Sequence, residues 1–159
     1  MRRASILRVV STLAIPYILL FALYVQFHGD YGPGGGFQAG VIFAAGFILY
    51  ALIFGLGAAK RITPMALVES LVALGVLVFA GTGVVTMLLG GNFLDYNRLD
   101  SHDPIHGQHV GLLLIELGVG ITVASVMLAI FYSFAGRRPE PVELEEAAEA
   151  DETELEEAS

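Results

Sequence analysis

Four long apolar runs dominate the hydrophobic pattern of this 159-residue chain. They cover residues 9–27, 37–59, 65–89 and 110–134. The first two contain no charged residue, and the other two contain one each, Glu69 and Glu116. Each run can cross a hydrocarbon layer of ~30 Å as a helix, because a helix rises ~1.5 Å per residue. The pattern predicts an all-α integral membrane protein with four transmembrane helices in one domain, residues 1–136.

The basic residues are unevenly shared between the segments that join these runs. Seven of them lie at the two ends and in the second connection: Arg2, Arg3, Arg8, Lys60, Arg61, Arg137 and Arg138. The first and third connections contain only Arg98. Because Lys and Arg accumulate in cytoplasmic loops, we predict that both termini are cytoplasmic. The first run lacks a small-residue cleavage pattern after it, so we expect an uncleaved helix.

The formal net charge of −8 comes from the end of the chain. Ten acidic residues lie between Glu140 and Glu157, whereas residues 1–136 carry equal numbers of acidic and basic side chains. Residues 137–159 are therefore expected to form a disordered acidic tail, with partner binding as the alternative. A chain with this charge pattern is not expected to bind nucleic acid.

The composition also limits the chemistry that this chain can perform. It contains no cysteine, which excludes disulfides, zinc thiolate sites and iron–sulfur clusters within the chain. The glycines from Gly32 to Gly36 lack the Lys and Ser/Thr that follow in a phosphate-binding loop. We expect no cofactor and no catalytic turnover by this chain alone.

Two carboxylates within the apolar runs are candidates for handling ions. A charge at the position of Glu116 is costly in lipid, so we expect it to face protein or water and to take part in an ion or proton path. The alternative is a structural carboxyl group. His109 lies seven residues earlier on the same helical face and is a candidate entry point for protons. Glu69 lies near the cytoplasmic end of its run, where a headgroup contact is the simpler interpretation. The alternative is a cytoplasmic exit for ions or a pairing site for a basic residue of a partner.

The third connection gathers acidic residues and histidines on the predicted outer side. They are Asp95, Asp100, His102, Asp103, His106 and His109. A metal site is one interpretation, but we expect none, because Pro104 interrupts helical geometry between His102 and His106. A mouth that concentrates cations and an ordinary solvated loop remain the alternatives.

A glycine-rich segment joins the first two runs. Between His28 and Phe37 there are five glycines and one proline, which predict a tight turn at the membrane surface. His28 and Asp30 are either polar turn residues or part of a polar site, because exposed backbone at membrane depth is tolerated only against protein or water. Small residues at Gly36, Gly40 and Ala44, and again at Gly111, Gly118, Gly120 and Ala124, predict close contacts between helices.

This segment resembles the signature of the MrpB/MnhB family, which supplies one of the small subunits of the multisubunit sodium/proton antiporters. The match is specific at Pro33, Gly34, Gly35, Gly36 and Phe37, and His28 fits the upstream histidine of the family. The fourth run, residues 111–123, is similar to the last helix of that family. The resemblance covers most of residues 5–135 and leaves the acidic tail outside.

The resemblance implies a small subunit of a bacterial plasma-membrane assembly that exchanges cytoplasmic Na⁺ for external H⁺. Its partners would be the other antiporter subunits, membrane lipids, Na⁺ and H⁺. Two alternatives stay open: a module of a redox-driven complex such as a membrane-bound hydrogenase, and a passive assembly scaffold.

Overall fold

The computed structural model describes residues 2–29, 32, 34–100 and 102–137, with side chains from residue 6 onward. Its helices are α1 (Arg2–His28), α2 (Gly36–Phe54), α3 (Leu56–Ile62), α4 (Met65–Leu88) and α5 (Pro104–Ala135). A single 3₁₀ turn, Tyr96–Arg98, lies between α4 and α5. Asp30, Pro33 and the acidic tail from residue 138 onward lie outside the described residues.

Four of these helices are long and apolar enough to cross a membrane. They are the segment Ile6–His28 of α1, and the whole of α2, α4 and α5. Within the described residues every regular element is helical. The prediction of an all-α membrane protein with four spans is confirmed.

The second span is shorter than predicted. Residues 37–59 were expected to form one helix, but α2 ends at Phe54 and α3 begins at Leu56. Gly55 separates them with φ of +94°, in the left-handed region that favours glycine. The Gly55 N–H donates to the Ala51 carbonyl oxygen at 2.9 Å, and the Gly55 carbonyl oxygen accepts from the N–H groups of Ala58 and Ala59 at 3.2 Å, so both helices are hydrogen-bonded to Gly55.

The last helix is longer than predicted and begins six residues before the apolar run. Asp103 caps it, because its carboxylate accepts hydrogen bonds from the N–H groups of Ile105 at 3.0 Å and His106 at 3.3 Å. Pro104 occupies the first helical position, where its missing N–H costs nothing. Pro104 therefore starts the helix that contains His106.

The long helices pack in the order α1, α2, α5, α4, with each one in contact with the next. Small residues allow these contacts, as predicted. A Cβ added at Gly40 would lie 2.7 Å from the Gly120 carbonyl oxygen, and one at Gly118 would lie 2.9 Å from that of Gly75. The backbones of α2 and α4 therefore both lie close to that of α5.

At the end formed by α3, the helices share a small core. Buried members are Ala44, Ala51, Ala59, Val68, Leu128 and Tyr132. The Tyr132 hydroxyl is hydrogen-bonded to the hydroxyl of Thr63, and the Lys60 ammonium lies 5.7 Å from the centre of the Tyr132 ring. α3 thus joins α2 to the far end of α5.

The segment between α4 and α5 folds onto the helices. Thr86 is fully buried, and its hydroxyl accepts a hydrogen bond from the N–H of Leu94 at 3.0 Å. The rings of Phe93 and Tyr96 occupy the space beside Gly83 and Gly111. Part of this connection is therefore packed structure.

Candidate functional site

The glycine-rich segment forms a tight turn at the end of α1. Gly35 has φ of +111°, and its N–H donates to the Val25 carbonyl oxygen at 3.4 Å. A Cβ added at Gly34 would lie 3.1 Å from that same oxygen. Gly34 and Gly35 therefore lie against the last turn of α1 immediately before α2 begins at Gly36.

Glu116 of α5 lies against this turn. A Cβ added at Gly29 would lie 2.5 Å from Glu116 Oε2 and 2.7 Å from Oε1, and one at Gly35 would lie 3.0 Å from Oε1. A Cβ at Gly36 would collide with the Glu116 backbone carbonyl. The carboxylate thus fills space that glycines at both ends of the turn leave open. We call Gly29, Gly35, Gly36 and Glu116 the glycine cradle.

The surroundings of Glu116 are intermediate between the interior of the bundle and its surface. Its side chain is half-buried, so the carboxylate is neither sealed in the bundle nor spread on the surface. It lies on a spanning helix, where an ionised group is costly unless it contacts protein or water. The cradle supplies backbone polar groups of a turn at this depth, and such groups are tolerated only in a protein-lined or hydrated site.

His28 belongs to the same turn but contacts another part of it. Its ring stacks on the Tyr24 ring with centroids 5.1 Å apart, and its Nε2 would lie 3.3 Å from a Cβ at Gly32. The residue is half-buried. The structure therefore places both His28 and Glu116 beside glycines of this segment.

The remaining candidates are spread over the molecule. His109 is exposed on α5, about two turns before Glu116. Glu69 is exposed in the second turn of α4, a helix that contributes no residue to the glycine cradle. Phe37 is 64% exposed, so this motif residue packs outward. The contacts described above bring Glu116 together with Gly29, Gly35 and Gly36.

The segment before α5 contains a polar cluster centred on Asp100. Its carboxylate accepts hydrogen bonds from the N–H groups of His102 at 3.0 Å and Asp103 at 3.1 Å, and lies 3.1 Å from His106 Nδ1. The N–H of Asp103, then that of His102 and the His106 ring lower the pKa of Asp100 below its usual 3.8. In the described part of the chain, no three His, Asp or Glu side chains converge as metal ligands.

One residue of interest has only a weak signal in the sequence. Gln26 is a single amide near the end of an apolar run, and it is 8% exposed in the structure. Its Oε1 would lie 2.5 Å from a Cβ at Gly120, one turn of α5 beyond Glu116. A polar residue at such a position can equally face a headgroup, so only the fold shows that Gln26 is buried.

Most of the chain is similar in sequence to known proteins. Residues 6–129 match a family model described as a domain related to the MnhB subunit of Na⁺/H⁺ antiporters. A Staphylococcus haemolyticus (strain JCSC1435) protein, provisionally named antiporter subunit mnhB2, is 34% identical over 133 residues, which cover 82% of this chain and 94% of that protein. The protein of the same name from Staphylococcus aureus (strain Newman) is 36% identical over 135 residues, covering 84% and 95%.

Proposed function

The chain belongs to the MnhB family, and from this premise we propose how it serves its antiporter. It is a small membrane subunit of a multisubunit Na⁺/H⁺ antiporter. Our proposal is that the subunit is needed for assembly in a bacterial plasma membrane and that its glycine cradle handles protons or Na⁺. Both termini are taken as cytoplasmic, which places the cradle near the outer surface.

The contact of the Glu116 carboxylate with the glycine turn is the observation that carries this proposal. A carboxylate is the side chain that can both release a proton and attract Na⁺. At membrane depth it needs surroundings that support its charged form, and a turn of glycines brings backbone groups close without side chains between. The same position can be alternately protonated and ionised, as ion exchange requires.

Access to the cradle from outside is proposed along α5. His109 is exposed about two turns nearer the start of the helix, and it is on the same face as Glu116. An imidazole ring can both accept and donate a proton, so it can pass protons between water and a carboxylate. His28 is proposed as a second titratable group at the mouth of the turn, and Asp30 remains a candidate there.

Glu116→Gln tests the proposal because it keeps the shape of the side chain and removes its charge. We expect the complex to assemble and Na⁺-dependent dissipation of a pH gradient in everted vesicles to fall to background. Glu69→Gln is the matched control, since it neutralises an exposed carboxylate on another helix. That variant should exchange at the wild-type rate.

Normal assembly with full exchange in Glu116→Gln would remove Glu116 from the ion path and leave a scaffold role. If the variant fails to assemble, Glu116→Asp supplies the comparison, because it retains the charge and shortens the side chain. We expect the Glu116→Asp complex to exchange Na⁺ for H⁺ and the Glu116→Gln complex not to, when the rates are compared per assembled complex.

A further inference from the structure

A cavity of about 280 Å³ lies beside α5, one turn of helix beyond Glu116. α1, α2 and α5 form most of its wall, and Leu71 of α4 contributes to one side. The wall is almost entirely apolar and rich in small residues, namely Ala22, Ala39, Gly40, Gly120 and Ala124. Leu23 and Leu117 line it as well and are 46% and 37% exposed, so the cavity opens to the surface of the bundle.

Gln26 is the polar residue that needs an explanation in this wall. Its side chain lines the cavity and the residue is 92% buried, as its 8% exposure gives. Among the residues that the structure describes, none shares a hydrogen bond with the Gln26 amide. A buried amide left in this state destabilises a membrane protein, because nothing in the hydrocarbon replaces water as its partner.

The possible occupants differ in whether they can satisfy an amide. A lipid acyl chain fits the apolar wall but offers no hydrogen bond to Gln26. Water offers hydrogen bonds but does not fill an apolar cavity, which stays dry without several polar partners. A transmembrane helix provides both, since small residues allow its backbone to approach and one polar side chain can pair with the amide.

We propose that a transmembrane helix of another subunit of the antiporter packs over this cavity and inserts a polar side chain that forms a hydrogen bond with Gln26. The inference rests on membership of the multisubunit antiporter and not on any ion-handling role of Glu116. The partner segment is therefore an apolar helix with small residues on one face and a donor or acceptor opposite Gln26.

Site-specific photocrosslinking in native membranes tests the proposal. A photoreactive p-benzoylphenylalanine is placed at Leu23, on the rim of the cavity. The control position is Val84, which is 50% exposed and lies about as far from the end of α4 as Leu23 lies from the end of α1. We expect the Leu23 position to yield a crosslink to an apolar helix of another antiporter subunit, several times more strongly than Val84. Crosslinks to lipid alone, or to a second copy of this chain, would overturn the proposal.

A pair of glutamine variants provides the second test. In the complex purified through a tag on another subunit, Gln26→Leu should lower retention of this chain about threefold, the effect of a typical interhelical hydrogen bond in a membrane. Gln38→Leu removes an exposed amide at the start of α2 and should not change retention. Equal retention of the two variants would contradict the role of Gln26. If Gln26→Leu does not reach the membrane, the crosslink at Leu23 decides.

Discussion

Glu116 occupies space that is open only because its neighbours in the cradle are glycines without side chains. Gly29, Gly35 and Gly36 each leave space that this residue fills, but for different reasons. Gly29 faces the end of the side chain, whereas Gly36 faces the Glu116 backbone, which cannot move without moving α5. Gly35 also has a positive φ. The three glycines of the cradle are therefore required sterically at Gly29 and Gly36 and conformationally at Gly35.

The first prediction at this scale concerns Gly36→Ala. The added Cβ meets the backbone of α5, so we expect the free energy of unfolding to fall by about 1–3 kcal/mol, which is typical of overpacking. Gly81→Ala on α4 is the control, because its Cβ meets nothing within 4 Å. Thermal unfolding of the purified complex measures both. Equal midpoints for the two variants would show that α2 and α5 are not in close contact at this glycine.

The second prediction concerns the pH response of Asp100. The backbone N–H of Asp103, that of His102 and the His106 ring all favour the ionised carboxylate, so its folded pKa lies below 3.8. Because the pKa is depressed, the ionised Asp100 carboxylate stabilises the folded state fully above pH 3.8. This stabilisation is lost as the pH falls through the pKa that Asp100 has in the folded state. Carboxyl-carbon NMR of the labelled complex should show a midpoint below 3.8, which His106→Ala moves upward.

An Asp100 midpoint at or above 3.8 would contradict the hydrogen bonds described for this cluster. A His106→Ala variant that leaves the midpoint unchanged would show that the backbone N–H groups alone hold the carboxylate. Asp100 lies before α5 and outside the membrane-spanning helices, so its titration reports on the connection between α4 and α5.

At the scale of elements, the junction of α2 and α3 depends on one glycine. Gly55 has φ of +94°, and a Cβ there would meet nothing within 4 Å. Gly55→Ala should therefore lower the free energy of unfolding by ~1–3 kcal/mol through backbone strain alone, since φ of +94° with ψ of 151° is adopted almost only by glycine. Gly57→Ala, two residues later and also without contacts, lies inside α3 and should be neutral or stabilising, because Ala favours helix over Gly. Midpoints of thermal unfolding should separate the two variants. A Gly55→Ala midpoint equal to that of Gly57→Ala would mean that α2 and α3 form one continuous helix.

The spans could be predicted from sequence because membrane crossing imposes a long apolar run on each one. Their ends could not be placed as well. Gly55 lies in an apolar stretch, so hydropathy continues across the break that its φ creates. The start of α5 is polar, so hydropathy misses six residues that Asp103 and Pro104 hold in a helix.

The candidate site was only partly visible in the sequence. Glu116 and the glycine motif each stand out, one as a charge in a span and the other as a helix breaker between spans. Their contact depends on the packing of α2 against α5, which no local pattern shows. Gln26 has even less signal, since its burial results from the approach of α5 to the end of α1.

At the scale of the whole molecule, the order α1, α2, α5, α4 leaves the two outer helices with broad apolar faces. Exposed side chains on α1 include Tyr17, Leu20 and Phe21, and those on α4 include Leu77 and Val84. In a membrane such faces contact lipid or other helices. A thin arrangement of four spans with a partly open cavity suits a subunit that completes its packing within a larger complex.

The most direct test removes this chain from the complete antiporter. Reconstituted complex, given only an imposed pH gradient and no redox substrate, should dissipate that gradient when Na⁺ is added. Complex from a host that lacks this chain should fail to assemble or fail to respond to Na⁺, and wild-type chain should restore the response. Undiminished Na⁺-dependent exchange without this chain would contradict its assignment as a working subunit of the antiporter.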